Sequence, residues 1–322
     1  MTVRGRLLLA LSWLACRLPE GPAFRFADFA GDLWYRFAPD RADQARRNLR
    51  RVCRSLAASG RGGARVRAAA DDPKALERLV RSSFRHAARY YLEVARNPSV
   101  TPAYVDERLT LDTPELIAEA VVPGKAVLFV GLHFGSLELA VIFLAFRVGE
   151  TVTPMETIED PGMQAYFERT RGVAGIRLVG LREARRALTD ALRKGIPVGL
   201  VGDRDLTGGG TEITLFGAPA RMPMGPAMLA VESGVPTYGM TVRRSGRGQY
   251  RGKLIPIDVP VEGTRRERFT TTMTRLAAAF EDLIADAPDQ WWAIFFPIWA
   301  DLETDAAQAG VAAADEPTDA AA

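Results

Sequence analysis

The sequence predicts an α/β fold: a central, largely parallel or mixed sheet flanked by helices, preceded by a basic, aromatic, helical region. Three observations support this prediction. Helical periodicity fills the first third of the chain, apolar strand patterns alternate with helical patterns from about residue 108, and positive charge is concentrated in residues 1–67. Repeated strand–helix units are typical of a mostly parallel sheet that is covered on both faces.

The composition of the 322-residue chain excludes several kinds of site. A hydrophobic content of 48% allows a sizeable core, in one large domain or two modest ones. Two cysteines, Cys16 and Cys53, argue against a disulfide framework or a cysteine-based metal site. The two histidines, His86 and His133, are far apart in the sequence, so we expect no histidine-rich metal site either.

Charge is distributed unevenly along the chain. Residues 1–67 contain 14 arginines and 5 acidic residues, in a chain whose total charge is only +3. Such a basic segment favours a polyanionic partner, either nucleic acid or anionic lipid. Abundant leucine and aromatic residues favour lipid, and we expect no nucleic-acid partner. The apolar run at 7–16 is too short to span a bilayer, and because no good cleavage site follows it, we expect it to be retained.

Residues 24–37 combine six aromatic residues with two arginines. This mixture suits a segment that lies in the headgroup region of a membrane. It also suits a packed helical hairpin whose aromatic residues belong to the core, and the two interpretations are compatible. We therefore expect an anionic membrane surface as a partner and a peripheral location on the cytoplasmic face of the cell membrane.

The elements are predicted in order as follows. A basic surface helix covers 41–56, a flexible connection covers 59–64, and a helix opened by Asp72-Pro73 ends at Asn97-Pro98. Strands are then predicted at 109–111, 126–132, 151–154, 177–179, 197–201, 212–216, 236–243 and 250–257, and helices at 114–120, 136–148, 160–171, 181–194, 225–233 and 264–286. The predicted organisation is a membrane-association region over 1–67, an α/β domain over 68–302 into which the aromatic block 291–297 packs, and a disordered tail over 303–322.

His133 is the first candidate for chemistry. An apolar run starting at Val127 ends in Gly131-Leu-His, and a helical pattern begins near Ser136. The carboxyl end of a buried strand is where crevices form in α/β sheets. There a histidine accepts a proton, and Glu138, folding back from the next helix, fixes its tautomer. The alternative is a structural histidine with Glu138 on a solvated face, because His-x4-Glu alone is a weak pattern.

A second strand end carries the charged turn Gly202-Asp-Arg-Asp205. Such charges must be paired, capped or solvated, so a salt-bridged turn explains them. If this turn shares a crevice with His133, Asp203 orients the imidazole as a triad acid does. The chain contains no G-x-S-x-G elbow, and its glycine-rich segment 207–211 is neither a dinucleotide fingerprint nor a P-loop. A histidine–carboxylate base that acts directly on a substrate hydroxyl remains.

Three segments together carry a family resemblance: His133-Phe-Gly-Ser-Leu-Glu138, Gly202-Asp-Arg-Asp-Leu206 and Phe216-Gly-Ala-Pro-Ala-Arg-Met-Pro-Met-Gly-Pro-Ala227. In order and approximate spacing the chain resembles the bacterial lysophospholipid/lipid A biosynthesis acyltransferases, and is most similar to their branch of phosphatidylinositol mannoside acyltransferases. The resemblance covers about residues 5–300, including the basic helix around Asn48-Leu49.

The resemblance implies a membrane-associated O-acyltransferase that moves a fatty acyl chain from acyl-CoA to a hydroxyl of a glycolipid. Acyl-CoA is then a co-substrate, and no cofactor or metal is implied. His133 matches the general base, Glu138 matches the acidic member of the His-x4-Asp/Glu motif, and Asp203 matches an acidic position that supports the histidine in a charge relay.

Further polar positions match the family or suit its chemistry. Glu156 and Arg171 match residues that line the site. Arg171, Arg204 or backbone amides after His133 are candidate donors to the oxyanion, and basic residues such as Arg204 also suit substrate phosphates.

Two departures leave alternatives open. The family's Asn-Trp-Asp is here Ser136-Leu137-Glu138, which weakens any inference about the acceptor sugar. Asp203 replaces a residue that is often Glu in the mannoside branch, so its distance to His133 is open. The alternatives are an acyltransferase for lipid A-type or other lysophospholipid acceptors, and a catalytically silent lipid-binding protein on the same fold.

Overall fold

A seven-stranded sheet forms the centre of the protein in a computed structural model that describes residues 2–205 and 208–303. The strands of the protein are β1 (Leu109–Leu111), β2 (Leu128–Gly131), β3 (Thr151–Met155), β4 (Ile176–Gly180), β5 (Val198–Val201), β6 (Thr211–Leu215), β7 (Ala218–Met222), β8 (Thr237–Gly246) and β9 (Gln249–Ile257). The spatial order in the seven-stranded sheet is β1-β9-β8-β2-β5-β3-β4, and every neighbouring pair is parallel except the β8–β9 hairpin. The predicted α/β architecture with a largely parallel sheet is confirmed.

Helices precede the sheet and cover both of its faces. They are α1 (Val3–Ala15), α2 (Glu20–Phe37), α3 (Pro39–Ala58), α4 (Ala64–Asp71), α5 (Pro73–Arg96), α6 (Pro102–Arg108), α7 (Pro114–Ala120), α8 (Leu137–Val148), α9 (Pro161–Arg171), α10 (Leu181–Arg193), α11 (Gly225–Ser233) and α12 (Arg265–Ala285). The predicted start of α5 is confirmed: the Asp72 side chain accepts hydrogen bonds from the backbone N–H groups of Lys74 and Ala75.

Strand β2 is buried on both faces, which explains its continuous apolar run. Leu128 and Val130 join the core that contains residues of α10, α11 and α12. Phe129 and the preceding Val127 join a second core with α8 on the opposite face. Because side chains alternate along a strand, the strand that ends at the candidate histidine is fixed from both sides.

The N-terminal helices pack on α5. Helix α2 approaches α5 so closely at Gly31 that a Cβ there would lie 2.6 Å from the Cα of Arg85. Beside this contact Asp32 accepts paired hydrogen bonds from Arg81 and Arg85. The crossing is therefore fixed by a steric requirement for glycine and by charge-assisted bonds.

Helix α3 was expected to lie on a surface, and it does so with one face only. On its opposite face, Leu49, Val52 and Leu56 are buried in the same core as the residues of α10, α11 and α12. Ile294 and Trp299 from the C-terminal aromatic segment belong to this core as well. The sparse apolar positions of this helix are thus spaced to form one continuous stripe.

The aromatic residues of α2 divide between core and surface. Phe24 is buried, whereas Phe26, Phe29 and Phe37 are 71%, 58% and 76% exposed. In α1, Trp13 is 58% exposed. Among the described residues, no helix combines the length and apolar character that crossing a membrane requires.

Three elements were not predicted: α4, α6 and β7. Strand β7 lies in the proline-containing segment 217–226, which has the composition of a loop, and among the described strands it pairs only with β6. Phe216 and Gly217 connect the two strands with positive φ angles of 50° and 76°, as a tight hairpin turn requires. The predicted disordered tail, apart from residue 303, lies outside the described residues.

Candidate active site

His133 lies in a turn between β2 and α8 that glycine makes possible. Gly135 has a φ angle of +55°, and a Cβ there would lie 2.1 Å from the carbonyl oxygen of Val242 on β8. Phe134 and Trp291 form an isolated antiparallel β-bridge. The backbone N–H of Trp292 donates a 3.0 Å hydrogen bond to the His133 carbonyl. The C-terminal aromatic segment therefore holds the backbone on which His133 is mounted.

Asp203 is the carboxylate that binds His133. Its Oδ1 lies 2.7 Å from His133 Nδ1, and its Oδ2 accepts hydrogen bonds from the His133 backbone N–H at 3.0 Å and from Trp291 Nε1 at 2.7 Å. Burial opposes ionisation of this carboxyl, but the charge of His133 and these donors outweigh burial and lower the pKa of Asp203. The shorter aspartate side chain thus reaches the histidine directly.

This contact assigns the two nitrogens of the imidazole. An ionised Asp203 only accepts hydrogen bonds, so Nδ1 carries the proton and Nε2 carries the lone pair in the neutral ring. The His133 side chain is 18% exposed and lines a cavity. The ring is packed edge-to-face with Trp292 at a centroid distance of 4.7 Å. In this tautomer Nε2 is the ring nitrogen that is able to accept a proton.

The expectation that Glu138 folds back to fix the tautomer of His133 is wrong. Glu138 is the second residue of α8, and its Oε1 accepts hydrogen bonds of 2.9 Å from both the Tyr90 hydroxyl and Arg171 Nε. Arg171 Nη2 also donates to the Tyr90 oxygen at 2.8 Å. Burial and the adjacent Glu138 charge raise the pKa of Tyr90 well above its usual value. Glu138 therefore ties α8 to α5 and α9.

The cavity beside His133 has a volume of about 280 Å³. Every predicted site residue lines it except Asp203, which is hydrogen-bonded to the lining residue His133. Its polar lining includes His133, Glu138, Glu156, Arg171 and Arg204. Its apolar lining includes Leu137, Val141, Met155, Ile176, Leu178, Leu181, Leu200, Val201 and Met240.

Gly199 of β5 also lines this cavity and gives it depth. It is buried, yet a Cβ placed on it would meet no atom within 4 Å. Its neighbours in the sheet are Phe129 on β2 and the residues of β3. A side chain at this position would occupy space that is now open between the sheet and α8.

Three contributors to the site were not predicted: Tyr90, Trp291 and Trp292. The aromatic block was expected to pack on the body, and that expectation is confirmed, but packing patterns do not reveal which carboxylate an indole N–H reaches. Tyr90 lies on an amphipathic helix and is indistinguishable by spacing from a core residue.

In residues 2–205 and 208–303, no three His, Cys, Asp or Glu side chains converge to hold a metal ion.

Comparison with known proteins identifies the family to which the chain belongs. The family model for bacterial lipid A biosynthesis acyltransferase matches residues 66–298. A phosphatidylinositol mannoside acyltransferase of Mycolicibacterium smegmatis is 28% identical over 320 residues, which cover 95% of this chain and 98% of that protein. A protein of the same name from Mycobacterium tuberculosis strain H37Rv is 29% identical over 246 residues, 74% of this chain and 72% of that protein. The chain belongs to the bacterial lipid A biosynthesis acyltransferase family.

Proposed function

We propose that this protein transfers a fatty acyl chain from acyl-CoA to a hydroxyl group of a membrane glycolipid, with His133 as the general base. The observation that carries the proposal is the Asp203–His133 pair, which borders a largely apolar cavity at the carboxyl end of β2. A fixed base beside an apolar cavity suits the attack of a hydroxyl on a fatty thioester.

The proposed reaction proceeds by direct transfer. Nε2 of His133 removes the proton of the acceptor hydroxyl as its oxygen attacks the thioester carbonyl, and Asp203 stabilises the resulting imidazolium. The tetrahedral intermediate collapses with cleavage of the C–S bond, the thiolate takes the proton from Nε2, and an ester and free coenzyme A leave. Positioned donors stabilise the oxyanion in such intermediates.

The donor chain is proposed to lie between α8 and the sheet. Val141 of α8, Met240 of β8, and Ile176 and Leu178 of β4 line the cavity there. Burying a chain against these residues is favourable by about 0.8 kcal/mol for each methylene removed from water. The open space over Gly199 extends this region and gives a physical basis for a preference in chain length.

The acceptor is proposed to be a phosphatidylinositol mannoside. The names of the relatives from Mycolicibacterium smegmatis and Mycobacterium tuberculosis support this choice. A lipid A-type acceptor is the second candidate, because the matching family is described by lipid A biosynthesis. Ser136-Leu137-Glu138 alone does not discriminate between the two acceptors.

The protein is proposed to reach its lipid substrates from the cytoplasmic face of the cell membrane as a peripheral protein. The exposed aromatic residues Trp13, Phe26, Phe29 and Phe37 lie on α1 and α2. Exposed arginines accompany them: Arg6, Arg17 and Arg25. Apolar side chains interspersed with cationic ones suit binding at the headgroup boundary of an anionic membrane.

The decisive experiment measures thiol release from palmitoyl-CoA by the purified protein with phosphatidylinositol mannoside, a lipid A precursor or a lysophospholipid in detergent. We expect acceptor-dependent release with the mannoside, reduced roughly 10²–10⁴-fold in His133→Ala. Asp203→Asn should also lose activity, because the neutral amide no longer stabilises the imidazolium.

Thermal unfolding serves as the control for these variants, since His133→Ala has to remain folded for its loss to be chemical. Equal release by the wild type and a folded His133→Ala variant would contradict the assignment of the base. Lipid binding with no turnover on any acceptor would instead identify a catalytically silent binding protein.

A further inference from the structure

Arg204 is a partly buried cation at the candidate active site that makes no salt bridge within the described part of the chain. It lines the cavity beside His133, and its guanidinium carbon lies 3.6 Å from the centroid of the Phe296 ring. Burial lowers the pKa of Arg204, and the charges of Asp203 and Glu156 oppose that effect. Neither carboxylate is within salt-bridge distance, and Asp203 is already bound to His133 and Trp291.

Arg41 approaches the same aromatic ring from helix α3. Its guanidinium carbon lies 4.9 Å from the Phe296 centroid, and the residue is exposed. Like Arg204, it has no salt-bridge partner among the residues that the structure describes. The two cations are close enough that the charge of Arg41 further lowers the pKa of Arg204. Two neighbouring like charges, neither in a salt bridge with a described carboxylate, favour an anion that contacts both.

The ring that carries both arginines is held in place by the backbone around it. Asn48 Nδ2 donates 2.9 Å hydrogen bonds to the carbonyl oxygens of Ile294 and Phe296. The Phe296 N–H donates to the Ala293 carbonyl at 3.0 Å. Stacking on an aromatic face orients a planar guanidinium without using its N–H groups. Neither guanidinium donates a hydrogen bond to another described residue, so its N–H groups are available to a ligand.

Phosphate is the anion that best suits such a pair. Guanidinium groups bind phosphate oxygens through paired, charge-assisted hydrogen bonds. We propose that Arg41 and Arg204, both in contact with the Phe296 ring, form a phosphate-binding site beside the cavity that His133 and Arg204 line. The inference rests on the proposed function for the identity of the phosphate, which comes either from the coenzyme A part of the donor or from the phosphodiester of the acceptor.

Two soluble probes distinguish these sources without any turnover. Coenzyme A presents the donor phosphates without the acyl chain, and glycerophosphoinositol presents the acceptor phosphodiester without lipid tails. By isothermal titration we expect one probe to bind the wild type and to lose affinity roughly 10- to 100-fold in both Arg204→Ala and Arg41→Ala. The Lys variants should keep part of the affinity, because they keep charge but lose the paired geometry.

Arg50→Ala is the matched control, since Arg50 is an exposed arginine on the same helix, α3. It should bind both probes like the wild type. Loss of coenzyme A binding in the Arg41 and Arg204 variants assigns the site to the donor, and loss of glycerophosphoinositol binding assigns it to the acceptor. Unchanged binding of both probes in the double Arg41→Ala/Arg204→Ala variant, or no binding to the wild type, overturns the proposal.

A kinetic comparison then connects the site to the reaction. Palmitoyl-N-acetylcysteamine is a thioester without phosphate. If the pair binds the donor, Arg204→Ala should raise KM for palmitoyl-CoA by a larger factor than it raises KM for the phosphate-free donor. If the wild type turns over neither donor, the proposed function fails, whereas the titrations still decide whether the phosphate site exists.

Discussion

Trp291 Nε1 donates a 2.7 Å hydrogen bond to Asp203 Oδ2, the same oxygen that accepts the backbone N–H of His133. The other oxygen, Oδ1, is bound to His133 Nδ1. A fully buried tryptophan thus completes the set of donors around a buried carboxylate. The charge on Asp203 is stabilised by donors from His133 and Trp291, which are 158 positions apart in the sequence.

Trp291→Phe should therefore weaken both stability and activity. It keeps most of the ring packing but removes a hydrogen bond to a charged group, which contributes about 1.5–3 kcal/mol. We expect a decrease of that size in the unfolding free energy, measured by denaturant titration, together with a lower kcat. Phe295→Leu, another buried aromatic position in this segment, is the packing control. Unchanged kcat in a folded Trp291→Phe variant would show that Asp203 does not need this donor.

Glu138→Gln should destabilise the protein without removing the base. The substitution leaves the Arg171 guanidinium without its counter-charge at a partly buried site, so we expect a loss of roughly 1–3 kcal/mol. Tyr90→Phe removes the third member of the same network and should cost less. Denaturant titration measures both. A Glu138→Gln variant that loses all activity at wild-type stability would contradict the structural role of Glu138.

Gly199→Leu should shorten the acyl chain that the protein accepts. The new side chain would occupy the open space over β5, which displaces the distal part of a long chain. We expect kcat/KM for palmitoyl-CoA to fall by about 10-fold or more, whereas decanoyl-CoA is affected much less. Val261→Leu, on an exposed loop before α12, is the control. An equal loss with every chain length would indicate a folding defect instead.

Binding to membranes should depend on the exposed aromatic residues of α2. Replacing Phe26 and Phe37 with serine removes apolar surface that faces solvent, so we expect weaker co-sedimentation with vesicles that contain phosphatidylglycerol. Val261→Ser is the matched control, since Val261 is 84% exposed on the loop before α12. Vesicle binding that is unchanged in the Phe26→Ser/Phe37→Ser variant would exclude this face of α2.

His86 should make stability depend on pH. Burial lowers its pKa from 6.5 to about 3, although the charge of Asp289 opposes this shift. The unfolded chain therefore binds a proton that the folded protein does not, so unfolding free energy is fully present above pH 6.5 and falls as pH decreases towards 3. His86→Phe should flatten the dependence in this window. A wild type equally stable at pH 7 and pH 4.5 would contradict the shift.

Local patterns allowed most of the fold to be predicted. The apolar run of β2, the Asp72-Pro73 helix start and the alternation of strands and helices all depend on neighbours in sequence. Strand β7 was missed because Pro219 suggests a loop, although an edge hairpin tolerates it. The placement of His133 and Asp203 at strand ends led correctly to one crevice, because parallel strands end at the same edge of a sheet.

The pairing of charges within the site depends on long-range packing instead. The His-x4-Glu spacing suggested that Glu138 binds His133, because a sequence shows how far apart two residues are along the chain but not in space. In the structure, Asp203 is hydrogen-bonded to His133 and accepts a hydrogen bond from Trp291. Glu138 instead accepts hydrogen bonds from Tyr90 and Arg171. No periodicity in the sequence encodes which of two nearby carboxylates reaches the imidazole.

The two hydrogen bonds from Asn48 to the carbonyls of Ile294 and Phe296 connect helix α3 to the C-terminal aromatic segment. The ribosome makes His133 and Asp203 well before it makes Trp291, which donates a hydrogen bond to Asp203, and Phe296, which contacts Arg41 and Arg204. A chain that is still being synthesised therefore has the imidazole and its carboxylate but lacks the indole N–H that completes their hydrogen bonds. Under the proposed function, we expect a chain that terminates before Trp291 to have no activity.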